Sequence, residues 1–430
     1  MNDIVKAAAT PLRGPLGIPA HPLLPQIQGE LHARPFQLLA TPRTIVQLAF
    51  LIEPGTLAAH IGSLARVVES RGGTPPGADA RHLTIEWGKG RLRWERHTEF
   101  TKWTYDAPAV SSLGEALKGH PFGDSFTPPG PVIAAARLDL LPADAREAAL
   151  AFFDPTSLCF SSLEGGLAEA ASDFRQDADG LTRIAVLDHG LGPARAGALT
   201  QRLLEIETYR TLALMGLPEA QRLAPDLARI EGELARITGA LQKGSVESRQ
   251  LLDELIALSA EVEADAVATL SRFGASRAYE EIVSQRLAVL SETPIPGYEV
   301  WKSFLQRRMG PAMRNCQAVQ SRQESLSAKL ARLADLLRTR VDVELEQQNR
   351  DLLSSMNRRA KLQLRLQRTV EGLSIAAVSY YVVGLVSYVA HGVEDSGVAV
   401  SPALVTAAAV PIAVLAVALI VQRIRRRNSD

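Results

Sequence analysis

The strongest pattern along the chain is a pair of apolar runs near its C-terminal end, Leu373 to Ala390 and Pro402 to Val421, neither containing a charged side chain. Each is about the length needed to cross a hydrocarbon core of roughly 30 Å, so the pair predicts a transmembrane hairpin. Upstream, shorter patterns predict a sheet domain. Ile45, Val46, Leu48, Phe50 and Leu51 form a strand run, Pro54 and Gly55 break it, and Leu57, Ile61, Leu64 and Val67 recur at helical spacing. Leu83, Ile85 and Trp87 alternate into Gly88-Lys89-Gly90, and Leu92 and Trp94 alternate out of it, which reads as a hairpin. The parity changes between Phe100 and Trp103, predicting a bulge or short turn near Thr101. A further strand is predicted at Val132 to Leu140. A second hairpin is predicted on either side of Asp177-Ala178-Asp179-Gly180, because Asp-Gly tolerates the positive φ of a tight turn.

Beyond Gly192 the period becomes helical. Pro193 to Gly216 predicts one helix, and Leu227, Ile230, Leu234, Ile237 and Leu241 then step by threes and fours until Lys243-Gly244-Ser245 interrupts them. Leu252, Leu255, Leu258 and Val262 continue on the next helix, and the short break predicts an antiparallel pair. A turn from Thr293 to Gly297 leads into the last long helix, which Gly310-Pro311 should kink or restart. Its apolar seam runs Leu326, Leu330, Leu333, Leu337, Val341, Leu345, a polar step at Gln348, Leu352 and Met356. These steps are wider than a heptad's, so a nearly straight stalk is expected. At about 1.5 Å per residue, a helix from Pro311 to Ala390 would be on the order of 120 Å long. The fold class is mixed α+β. It comprises a disordered arm (1–22), an α/β domain (23–192), a helical hairpin with a long stalk helix (193–372), the membrane hairpin (373–422) and a basic tail (423–430).

Charge sets the expected orientation. Arg358, Arg359, Lys361, Arg365 and Arg368 precede the first span and Arg423, Arg425, Arg426 and Arg427 follow the second, whereas the connecting loop carries Glu394 and Asp395 and no Lys or Arg. The positive-inside rule puts both termini in the cytoplasm. With 47 basic and 47 acidic residues the chain offers no global attraction to nucleic acid, so the lipid bilayer is the expected partner. Cys159 and Cys316 are far apart and belong to no CxxC, which argues against a zinc knuckle or disulfide framework and fits a reducing compartment. The first twenty residues hold Pro11, Pro15 and Pro19 and no apolar signal core.

Four segments carry a resemblance: Glu30-Leu31-His32-Ala33-Arg34-Pro35-Phe36, Trp94-Glu95-Arg96-His97-Thr98-Glu99-Phe100, Leu203-Leu204-Glu205-Ile206-Glu207-Thr208-Tyr209-Arg210 and Thr369-Val370-Glu371-Gly372-Leu373-Ser374. With them the chain resembles, over nearly its whole length, the bacterial family called domain of unknown function 3422, described as predicted membrane-anchored proteins. That resemblance implies an inner-membrane location and little chemistry. In architecture the chain is also similar to CorA-type magnesium channels, with an α/β domain, long helices and two C-terminal spans. Those channels carry Gly-x-Asn at the outer end of the first span, and here the stretch reads Tyr388-Val389-Ala390-His391-Gly392-Val393-Glu394-Asp395.

Several residues are candidates for chemistry. Glu30, His32 and Arg34 place a carboxylate, an imidazole and a guanidinium within five residues, suited to anion binding, proton relay or a salt-bridged strand start. Arg96 shares strand parity with Leu92 and Trp94, so it is expected to point inward and to need an acid such as Glu30, with Glu95, His97 and Glu99 on a solvated face. Asp188-His189-Gly190 and His120 are isolated loop features, and Gly88-Lys89-Gly90 is too short to cradle a phosphate. Glu205, Glu207 and Arg210 suit ion pairs between helices. In the first span Ser374, Ala377, Tyr381, Gly384, Tyr388 and His391 form a small and polar stripe for helix packing or a pore lining. No nucleophile, metal or cofactor constellation stands out, so no cofactor is expected and an enzyme ranks third. Ahead of it stand a homo-oligomeric binding, sensing or scaffold protein and, as the alternative, a CorA-like cation channel.

Overall fold

The computed structural model describes residues 16, 18, 20, 21, 23, 24, 27, 36–108, 113–115, 118–395 and 401–427. The predicted arm over 1–22 lies largely outside them. The chain folds as two compact units, Met1–Lys243 with Glu254–Arg332, and Gly244–Asp253 with Leu333–Asp430.

The first unit is built on a nine-stranded sheet. In chain order its strands are β1 (Arg43–Leu51), β2 (His82–Trp87), β3 (Gly90–Arg96), β4 (Phe100–Pro108), β5 (Val132–Pro142), β6 (Cys159–Leu163), β7 (Ala168–Ser172), β8 (Thr182–Asp188) and β9 (Thr293–Pro294). They lie in the order β2-β3-β4-β1-β5-β8-β7-β6-β9. The β5–β8 pair is parallel and the other pairings are antiparallel. A parallel pair needs a crossover connection, which the β6–β7 hairpin and α2 (Arg146–Ala151) supply.

Because side chains alternate along a strand, β1 sends Val46, Leu48 and Phe50 to one face and Ile45, Gln47 and Ala49 to the other. On the first face α1 (Leu57–Glu69) packs Leu64, Val67 and Val68 against Phe50, Leu92, Trp94 and Trp103. Further along that face, Ala149 of α2 and the following Phe153 pack against Phe160, Ala185 and Leu187. The opposite face is covered by α3 (Pro193–Leu214) and the start of α6 (Trp301–Asp395), through Leu199, Leu203, Ile206, Trp301 and Phe304. Gly197 of α3 is required by this packing, since a Cβ there would come within 1.6 Å of the Gln37 carbonyl oxygen.

The parity change before Trp103 proves to be a turn, because β3 ends at Arg96 and β4 begins at Phe100. The sheet's bulge lies elsewhere, in the β1–β5 register at Ala49 and Phe50. After α3 come α4 (Gly216–Lys243) and α5 (Ser248–Val289). Their ion pairs Arg229–Glu261 and Arg236–Glu254 advance seven residues on one helix while receding seven on the other, as antiparallel neighbours require. Pro311 neither ends nor restarts α6, which is helical throughout. Arg307, whose carbonyl loses its donor to Pro311, lies one turn back on an exposed face.

In the second unit Leu251, Leu333 and Leu337 are buried, and Ser248 Oγ donates to the Glu344 carboxylate at 2.7 Å. From 342 to 370 every residue of α6 is exposed. The remainder of α6 and α7 (Pro402–Arg427) supply two helices long and apolar enough to cross a membrane.

Candidate functional site

The trio Glu30, His32 and Arg34 lies outside the described residues. Arg96 is half-buried and its Nη1 donates to the Ala78 carbonyl oxygen at 3.0 Å. Its neighbour Glu95 is not solvated as alternation suggests, being only 2% exposed with Lys102 Nζ at 2.6 Å. Both faces of β3 are covered here, so strand parity does not separate inside from outside. Burial works to raise the Glu95 carboxyl, but Lys102 and Arg93 outweigh it and hold the group below the usual range. Glu99 is also tied inward, accepting from Tyr279 Oη at 2.9 Å and Arg272 Nη1 at 3.4 Å, while His97 stacks on Phe100.

The membrane stripe faces outward from its own hairpin. Tyr381 and Tyr388 are 71% and 81% exposed, Ser374 and His391 are exposed and Gly384 is half-buried. The least exposed positions are Ser379 and Ala390 on the first helix and Ala413 and Val417 on the second, and the small residues among them permit close helix approach.

The group of side chains with unspent binding capacity lies at the centre of the sheet, on the face between α1 and α2. There β5 carries Arg137 and Asp139, two residues apart and so on one face, and the parallel register sets Arg137 beside Arg183 of β8. Two neighbouring buried guanidinium groups repel unless a counter-ion joins them. Asp139 does so. Its carboxylate accepts from Arg137 Nε at 3.1 and 3.2 Å, from Arg183 Nη2 at 3.0 Å and from Thr44 Oγ1 at 2.6 Å. Arg183 also reaches Asp177 at 3.0 Å and lies over the Phe152 ring, and Arg137 Nη1 donates to the Glu115 carbonyl oxygen at 2.6 Å. Two donors of this network, Arg137 Nη2 and Arg183 Nε, have no partner among the described residues.

A cavity of about 360 Å³ opens beside this network, lined by Val46, Leu48, His120, Phe122, Arg137, Asp179 and Leu181. The tight turn before β8 places Asp179, whose own backbone N–H donates to the Asp177 carboxylate at 2.9 Å. His120 Nδ1 accepts from the Phe122 N–H at 3.1 Å, so the neutral ring carries its proton on Nε2.

Sequence reasoning placed Asp179 in a turn and His120 in a loop but did not join them to Arg137, Asp139 or Arg183. The available signal was Arg-x-Asp inside an otherwise apolar strand, where a charge on a buried face demands a partner. The remaining candidates are structural. Asp188 accepts from Thr41, from the Gly190 N–H at 2.8 Å and from the Leu191 N–H at 2.6 Å, and Glu205 pairs with Arg286 of α5 at 2.6 Å. Cys159 and Cys316 are buried, and burial raises both thiols. Among the described residues no cluster of three or more His, Cys, Asp or Glu is placed to hold a metal ion.

The chain belongs to the family described as protein of unknown function (DUF3422), whose model matches residues 19–428. No curated protein and no solved structure matches it.

Proposed function

We propose that this chain is a homo-oligomeric, membrane-anchored binding or sensing module of the bacterial inner membrane, with both termini and the α/β domain in the cytoplasm. The observation that carries this reading is the exposure of every α6 residue from 342 to 370. The seam that is buried at Leu326, Leu330 and Leu337 continues past Glu344 through Leu345, Leu352 and Met356, which are 49%, 60% and 59% exposed. A helix in a protein draws most of its stability from packing its apolar face, and these apolar positions have no such cover among the described residues. A second copy supplies an identical seam at the same height above the bilayer, and anchoring in one orientation favours cyclic symmetry about the membrane normal. The basic flanks and acidic loop support the in/in topology.

Disulfide cross-linking in native membranes tests this, helped by the burial of both natural cysteines. Leu352→Cys is expected to form cross-linked dimers under mild oxidation, while Arg350→Cys, on the opposite side of the helix, is not. Equal cross-linking of both, or of neither, overturns self-association through the seam. A cation channel is the second reading, supported by Glu394 and Asp395 following the first span. Divalent-cation flux into proteoliposomes distinguishes the two, since the binding module gives none above empty liposomes.

A further inference from the structure

We infer that the cavity between α1 and α2 binds a small zwitterion with an apolar body, the chemistry of a free apolar α-amino acid. The inference rests on the binding-module part of the preceding reading and not on self-association. Its volume of about 360 Å³ lies near the lower end of small-molecule sites, which are roughly 300–1,000 Å³. Three features specify the occupant.

The first is an unused cationic donor. Arg137 is 2% exposed, lines the cavity and has its Nη2 buried and unpartnered among the described residues, a costly arrangement that an acceptor brought to the guanidinium group would relieve. His120, whose neutral ring carries its proton on Nε2, also lines the cavity and offers a second donor. A carboxylate satisfies both, and with arginine it forms a charge-assisted bond. The second feature is an acid without an ion pair. Asp179 lines the same cavity and is exposed, and its carboxylate accepts no hydrogen bond among the described residues, so it is available to an ammonium group. The third is the wall between them, made by Val46, Leu48, Phe122 and Leu181, which removes apolar surface from water.

Charge balance favours a zwitterion over a plain anion. Asp139 and Asp177 already neutralise the two guanidinium groups, so a net anion would face Asp179 with no further positive charge among the lining residues to offset it. A dianionic phosphate is disfavoured on the same ground.

Equilibrium binding of radiolabelled L-leucine and L-phenylalanine to the full-length protein in detergent tests the inference, with 3-phenylpropionate as the acid lacking an amine. The amino acids are expected to bind at least tenfold more tightly than 3-phenylpropionate. Asp179→Asn should remove that preference, weakening the two amino acids and tightening 3-phenylpropionate, which then no longer faces a carboxylate. Leu181→Trp, which projects an indole into the cavity at a position outside the Arg137 network, should weaken binding of all three at least tenfold. The proposal is overturned if neither amino acid binds, if 3-phenylpropionate binds as well as phenylalanine, or if Leu181→Trp binds like wild type. Loss of binding with Leu352→Cys cross-linking retained sinks this inference alone. Binding without cross-linking sinks only the oligomer.

Discussion

The buried charges of the sheet domain and the exposed stretch of α6 from 342 to 370 illustrate two ways in which a chain treats groups that need partners. In the domain, Glu95 meets Lys102, Asp106 meets Arg43, and Asp139 is shared by Arg137 and Arg183, each within one folded unit. Along 342–370 apolar side chains such as Leu345, Leu352 and Met356 recur among charged ones, but none of the described residues covers them. The domain's requirements are short-range and electrostatic, and strands distant in sequence supply them. The helix's requirement is an apolar area, and another copy of the chain suits it. A domain that completes itself and a helix that does not are expected to respond differently to substitution.

The largest effect should come from breaking a pair inside the domain. Lys102→Met leaves the Glu95 carboxylate buried without its closest cation, and unfolding of the full-length protein in detergent is expected to show a loss of about 3–5 kcal/mol. A loss below about 1 kcal/mol would mean that solvent reaches Glu95, removing one side of the comparison. Next comes a matched pair on α6. Leu330→Ala, at a position with 0% exposure, should cost about 2–5 kcal/mol. Leu352→Ala should leave the monomer within about 0.5 kcal/mol of wild type while lowering the oligomer mass seen by light scattering. Equal destabilisation of the monomer by both would show that the chain covers Leu352 itself.

A smaller, pH-dependent effect is expected at His60, which is buried with Nδ1 2.7 Å from Thr101 Oγ1. Burial holds its imidazole below its ordinary pKa, against a raising contribution from a Leu51 backbone hydrogen bond. Below about pH 6.5 the unfolded chain therefore takes up a proton that the folded chain refuses, and stability falls as pH drops toward the folded-state value. Thermal scans between pH 7.5 and 5 should show this decline in wild type and a flatter profile in His60→Gln. An unchanged profile would assign the decline to other groups. The smallest effect is expected from Arg350→Ala, an exposed residue paired with Glu346 one turn away, which should stay within about 0.5 kcal/mol of wild type.

Local patterns determined much of this protein. An uncharged run of the right length is enough to specify a membrane-compatible helix, because in lipid every backbone group must bond within its own segment. The β2–β3 hairpin, the Asp177–Gly180 turn, α1, α3 and the antiparallel α4–α5 pair follow from period and turn chemistry, which act over a few residues. Strand parity failed at Glu95 because it reports only which face a residue is on, and on β3 both faces are covered. The β6 strand escaped notice because Cys-Phe-Ser-Ser-Leu is short and half polar, and its partners β7 and β9 lie on either side of it only in space. The meeting of Arg137 with Arg183, and of both with Asp139, depends on the parallel β5–β8 register, which the intervening crossover sets. No local pattern encodes that register, since the free energy that selects it comes from burying both faces of the sheet at once. His120 and Asp179 reach the same cavity for the same reason, from loops whose position the packed strands decide.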